Sequence, residues 1–173
     1  MNGSRGPTLD APPRYSARPL PPYRFIPGET PHPTRDPGGH SRAGTPSPLE
    51  PWNPDEWRTL DAWRWAVDLF NYAYWWEAHE ALEGLWHAAG RTTPPARFTQ
   101  SLVHLSAALL NRRRGHAAAA RRQAARALRG LRAARALGPV VMGIDLARLS
   151  GDVRVAFADD GPAPRIVLQT GRE

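Results

Sequence analysis

The chain has no cysteine, so disulfides and thiolate metal sites are both excluded and nothing points to an oxidising compartment. Lysine is absent too: all 23 basic side chains are arginine. Long apolar runs are also missing. No segment approaches the roughly 18 apolar residues of a membrane span, and the opening MNGSRGPTLDAPPRYSARPLPPYRF lacks the apolar core of a signal peptide. A soluble, cytoplasmic protein that does not engage membranes is therefore expected. No glycine-rich phosphate loop, nucleophile elbow or HExxH pair occurs, which removes three common enzyme signatures.

The length of 173 residues suits one modest domain with a real core. A formal charge of +7 and a pI near 11.1 invite a nucleic-acid reading. The all-arginine usage, in a chain rich in alanine, proline and glycine, is also what a GC-rich coding sequence produces without selection, so charge alone is a poor guide.

Residues 1–54 hold most of the prolines and little apolar periodicity, and read as an extended arm. Within it, PPYRFIPGETPHPTRDPGGHS sets Tyr23, Phe25 and Ile26 before His32 and His40. It reads either as a proline-stiffened polar surface segment or as an arm that lays a histidine over a site. A first helix is expected from Asn53 or Asp55 to Phe70, and a second from about Tyr74 to Ala89, ended by Gly90. Pro94 and Pro95 open a third, apolar at Phe98, Leu102, Leu105 and Leu109, which runs to Gly115. The fourth spans about His116 to Leu137, with Leu128 and Leu131 inward and Arg122, Arg126 and Arg129 outward. Ile144 to Ala158 suits a short fifth helix, and Arg165 to Gln169 a brief tail or edge strand. The fold class is thus all-α, a single small bundle of four to five antiparallel helices behind a Pro/Gly-rich arm. Residues 55–138 form its helical core, and residues 139–173 the short carboxyl-terminal helix and tail.

The densest chemistry lies in FNYAYWWEAHEALEGLW, Phe70 to Trp86. At about 100° per residue, Trp75, His79, Leu82 and Trp86 make one helical stripe, and Glu83 stands one turn from His79. Glu77 and Glu80 fall toward the polar side, where solvent is the expectation. A histidine and a carboxylate at i and i+4 can converge on one ion, which is half a metal site. Zinc or another divalent transition metal suits these ligands, and His104, Gln100, His32 and His40 are the donors that could complete the set. Such a metal would activate water for hydrolysis, with Glu83 or Glu80 as ligand or base. The plainer reading is a buried His79–Glu83 couple between packed helices. The acid-free run from Arg112 to Arg135 could meet phosphates, but without interleaved aromatics a solvated face is preferred over nucleic acid.

FNYAYWWEAHEALEGLW, followed by FTQSLVHLSAALLNRRRGHAAAA, resembles domain-of-unknown-function family 309, small helical proteins of bacteria and archaea marked by HxxxExx(W/Y). The pattern falls on His79, Glu83 and Trp86, and the similarity spans roughly Trp65 to Leu131. The resemblance implies an all-helical fold with no established function, and metal binding by His79 and Glu83, with Trp86 as their packing partner. It also groups the histidine-rich arm segment with the site. The chain departs from the family pattern at Ala73, where a glycine is expected, and at His104, where glutamine is typical. The leading functional expectation is a metal-dependent hydrolase with an unknown small-molecule substrate. The alternatives are a non-enzymatic, helical-hairpin module that binds a protein partner, loosely similar to one tetratricopeptide repeat, and an arginine-rich nucleic-acid binder. Self-association is left open.

Overall fold

The computed structural model describes residues 11–42, 49–158 and 161–169. Five α-helices dominate them: α1 (Asp61–Asn71), α2 (Trp75–Ala88), α3 (Pro94–Arg113), α4 (Ala117–Ala134) and α5 (Leu146–Ala158). Short connections fold α1 to α4 into successive antiparallel neighbours, and α3 sits centrally between α2 and α4. The protein is all-α apart from one small hairpin, β1 (Val140–Val141) against β2 (Ile144–Asp145). No helix among the described residues is long and apolar enough to cross a membrane.

Local chemistry explains the helix ends. Pro94 and Pro95 occupy the first turn of α3, where no amide partner is needed, and Thr93 caps it by accepting from the Ala96 N–H at 3.3 Å. The same hydroxyl donates to the Ala89 carbonyl at 2.6 Å, tying the end of α2 to the start of α3. Between α1 and α2 the chain reverses through Ala73, at φ +63°. The Ala73 N–H donates to the Phe70 carbonyl and the Tyr74 N–H to the Leu69 carbonyl, a Schellman ending built on alanine rather than glycine.

The core is filled by Trp63, Leu69 and Phe70 of α1, Leu82 and Leu85 of α2, and Phe98, Leu102, Leu105 and Leu109 of α3. Each fully buried side chain of this size contributes about 1.5–3 kcal/mol. α4 adds Leu131, but mainly small residues: Ala120, Ala124, Ala127 and Ala134. Close approach is what those alanines permit. At Gly130 a Cβ would stand 2.6 Å from the Ser101 Cβ, so α4 rides directly on α3 there.

Several expectations need correction. Residues 54–56 make only one 3-10 turn, capped by Asn53, and α1 starts at Asp61. Trp57 does not continue a helical stripe; it is buried with its ring against Gly143, where a Cβ would clash at 2.6 Å. α4 ends at Ala134 and a 3-10 turn carries the chain to Leu137. The hairpin that follows turns on Met142 and Gly143, both at positive φ as a tight two-residue turn requires. Residues 165–169, by contrast, keep the extended course expected of them, along the edge of the hairpin. Ile166 and Leu168 are buried, Leu168 bridges Ile144, and the Asn71 side-chain amide pairs with both the N–H and the carbonyl of Ile166 at 2.8 Å.

Candidate metal centre on the second helix

The aromatic stretch that builds α1 and α2 has a use the sequence does not announce: it receives the proline-rich arm. Pro12, Pro19 and Pro21 cannot donate, and their carbonyls accept from Tyr72 Oη (2.8 Å), Trp65 Nε1 (3.4 Å) and Tyr74 Oη (3.0 Å). This is how aromatic grooves take extended proline segments in general.

Two buried acids anchor the arm. Asp68 on α1, fully buried, accepts from Arg14 Nε at 2.9 Å and from the backbone N–H groups of Tyr15 (2.8 Å) and Ser16 (2.9 Å). Glu77 on α2 was expected in solvent, and the structure overturns this: it is 5% exposed because the arm covers it. Its Oε1 accepts from the Phe25 N–H at 2.8 Å and meets His40 Nε2 at 3.0 Å, while Oε2 is buried without a partner. Neither acid stood out as an anchor in the sequence, although an acid inside WAVDLF or between Trp76 and Ala78 is the kind of interruption that signals one.

Beside the arm, α2 presents His79, Glu80 and Glu83. One candidate ligand atom from each lies within 4.8 Å of the other two. His79 and Glu83 are half-buried and Glu80 is exposed. His79 Nδ1 lies 3.2 Å from the Val103 carbonyl on α3, so it carries the proton and donates, which leaves Nε2 with its lone pair. The Glu80 carboxyl is pushed above the ordinary carboxylate range, first by loss of solvent; the neighbouring His79 opposes this, Glu83 adds to it and His32 opposes it.

The remaining histidines are placed differently. His104 Nδ1 is 2.9 Å from Gln123 Oε1, linking α3 to α4. Burial lowers its basicity, the Gln123 contact works against that, and the positive charges of Arg126, His79 and Arg129 lower it further. His40 is held by Glu77 and Ser41. His32 packs on Phe25 and Trp76, with ring centroids 4.9 and 5.6 Å away, and its Nδ1 accepts from the Thr34 N–H at 3.3 Å. Its other nitrogen is then an N–H donor. The structure thus gathers His79, Glu80 and Glu83, sets His32 close enough to influence Glu80, and engages His104 and His40 elsewhere. Trp86 donates to the Arg91 carbonyl at 3.0 Å and lies at a tilt against the His87 ring, closing the far end of α2.

A histidine and two carboxylates form a donor set for a hard or borderline divalent cation. Two adjacent acids, one of them already reluctant to ionise, are what such an ion would neutralise. No curated protein and no solved structure matches the chain. A family model does match: residues 63–123, which run from α1 into α4 and include every member of this cluster, are similar to a domain of unknown function, DUF309.

Proposed function

We propose that α2 holds a divalent cation between His79, Glu80 and Glu83, and that the protein uses it to hydrolyse a small-molecule substrate. The observation that supports this reading is the convergence of three ligand atoms within 4.8 Å while the Val103 carbonyl fixes the His79 tautomer. Metal-bound histidines generally donate their second ring N–H to a carbonyl or carboxylate in this way. The ion would supply Lewis acidity and a water made acidic enough to react near neutral pH. His79 and Glu83, the more sheltered pair, would hold the ion, with Glu80 at its edge as the third member of the group. Glu80, more open and with its proton affinity already raised, is the group suited to take a proton from water. His32, presented by the arm, lies close enough to influence Glu80.

Elemental analysis of tag-free protein purified without chelators tests the reading, comparing wild type with His79→Ala and Glu83→Ala. One metal per chain in the wild type, lost in both variants while helicity by circular dichroism is retained, is the expected result and justifies a hydrolase screen. A wild type without metal, even after incubation with zinc or manganese, would make the cluster structural.

A further inference from the structure

The outer surface of α4 carries a row of cations. Arg122, Arg126, Arg129 and Arg132 are all exposed, and no carboxylate pairs with any of them among the described residues. No acid occurs between Arg112 and Arg135. From Arg122 to Arg132 the row covers about 15 Å at the helical rise of 1.5 Å per residue. Arg97 of α3 extends it, since it lines a cavity with Ala133 and Ala134 at the end of α4.

Three kinds of polyanion could meet such a row, and the structure separates them. A membrane that takes up a helix by its apolar side is not served here, because Ala120, Ala124, Ala127 and Leu131 are buried in the bundle. A protein partner needs a desolvated apolar centre, and of the large exposed hydrophobic residues Leu49, Val140, Val155 and Val167 lie off the row, leaving Leu137 alone beside Arg97. A phosphate backbone needs neither. It needs several cations in a row with planar donors, which arginine provides. The row also spans about four nucleotides at 3.4 Å per nucleotide of one strand.

We propose that the outer face of α4, continued by Arg97, binds the phosphate backbone of a nucleic-acid strand. This does not rest on the metal reading. The His104–Gln123 contact fixes α4 to α3 one turn before Arg126, so the row is presented on a braced helix.

Fluorescence anisotropy of the full chain with a short labelled RNA strand, and with a DNA duplex of equal length, tests the proposal across a salt series. The α4 pair Arg126→Gln with Arg129→Gln is compared with a pair of equal charge change on α5, Arg148→Gln with Arg154→Gln. Glutamine is a good helix former, so both pairs should fold. The α4 pair is expected to weaken binding about tenfold or more and to lower the salt slope by about two, while the α5 pair changes little. Tighter binding of the RNA or of the duplex names the source of the phosphates. Equal loss in both pairs, salt-insensitive or absent binding, or displacement by polyglutamate as effective as by unlabelled oligonucleotide would overturn it.

Discussion

His79 Nδ1 donates to the Val103 carbonyl across the α2–α3 interface, at 3.2 Å. Helix packing therefore sets which ring nitrogen is left with a lone pair, and a cation should couple to the stability of that interface. Zinc or manganese is expected to raise the melting temperature of the wild type and to leave His79→Ala unmoved. At a free metal concentration 100 times the dissociation constant the gain is about 2.7 kcal/mol. Thermal denaturation at several metal concentrations checks this, and equal shifts in both proteins would place the binding elsewhere.

The metal-free protein should show two pH dependences of opposite sign. The Glu80 carboxyl is raised, so the folded state holds its proton more tightly than the unfolded chain. That contribution is full below the ordinary value of 4.5 and lost as pH rises through the raised folded value. Glu80→Gln should therefore be more stable than wild type near neutrality and lose the advantage in acid. His104 is lowered, so its contribution is full above the ordinary value of 6.5 and is lost as pH falls toward the lowered folded value. His104→Gln should flatten the wild-type loss of stability below neutral pH, measured by urea denaturation across a pH series.

Ala73 stands in the left-handed region at φ +63°, where a Cβ is unfavourable by about 1 kcal/mol. Ala73→Gly is expected to stabilise the protein by about that amount, less what is lost by loosening the unfolded chain. The midpoint of urea unfolding should move up with an unchanged slope. A downward shift would mean that the Ala73 methyl packs usefully, outweighing its strain.

How far the fold was legible depends on the distance over which each feature is decided. α2 and α3 are marked by apolar residues at helical spacing and closed by Gly90 and Gly115, signals that lie within a few residues. The start of α1 was misplaced because Trp57 fits a helical stripe locally, and only its contact with Gly143, from a distant hairpin, pulls it away. The site was half legible. His79 and Glu83 are one turn apart on any helix, and Glu80 stands three residues before Glu83, so the cluster itself follows from helical spacing. The roles of Glu77 and His40 depend on a contact 37 residues apart in sequence, which no periodicity encodes.

The α3–α4 approach at Gly130 should be intolerant of one added methyl group. Gly130→Ala gains up to about 1 kcal/mol of helix propensity, but drives its Cβ to 2.6 Å from the Ser101 Cβ, an overpacking of about 1–3 kcal/mol. Net destabilisation is expected, and Ser101→Gly in the same chain should recover part of it. A double-mutant cycle measures that coupling; purely additive effects would show that the helices shift apart freely.

The arm offers the most direct check on the assignment of Asp68 and Glu77 as anchors. Asp68→Ala removes the acceptor of two backbone N–H groups and of Arg14 at once, leaving donors that the docked arm cannot satisfy. Each buried orphan is unfavourable by about 1–3 kcal/mol, but undocking the arm returns all three to water, so the smaller loss is the detachment itself. Arg14 and Arg24, exposed on the arm, should then be cut by trypsin well before the bundle unfolds. Asp68→Asn, which keeps one acceptor oxygen, should fall between wild type and alanine. Glu77→Ala should release the segment around Phe25 and His40 in the same way, and a bundle whose arm stays protected in both variants would assign the docking to the Tyr72, Tyr74 and Trp65 contacts instead.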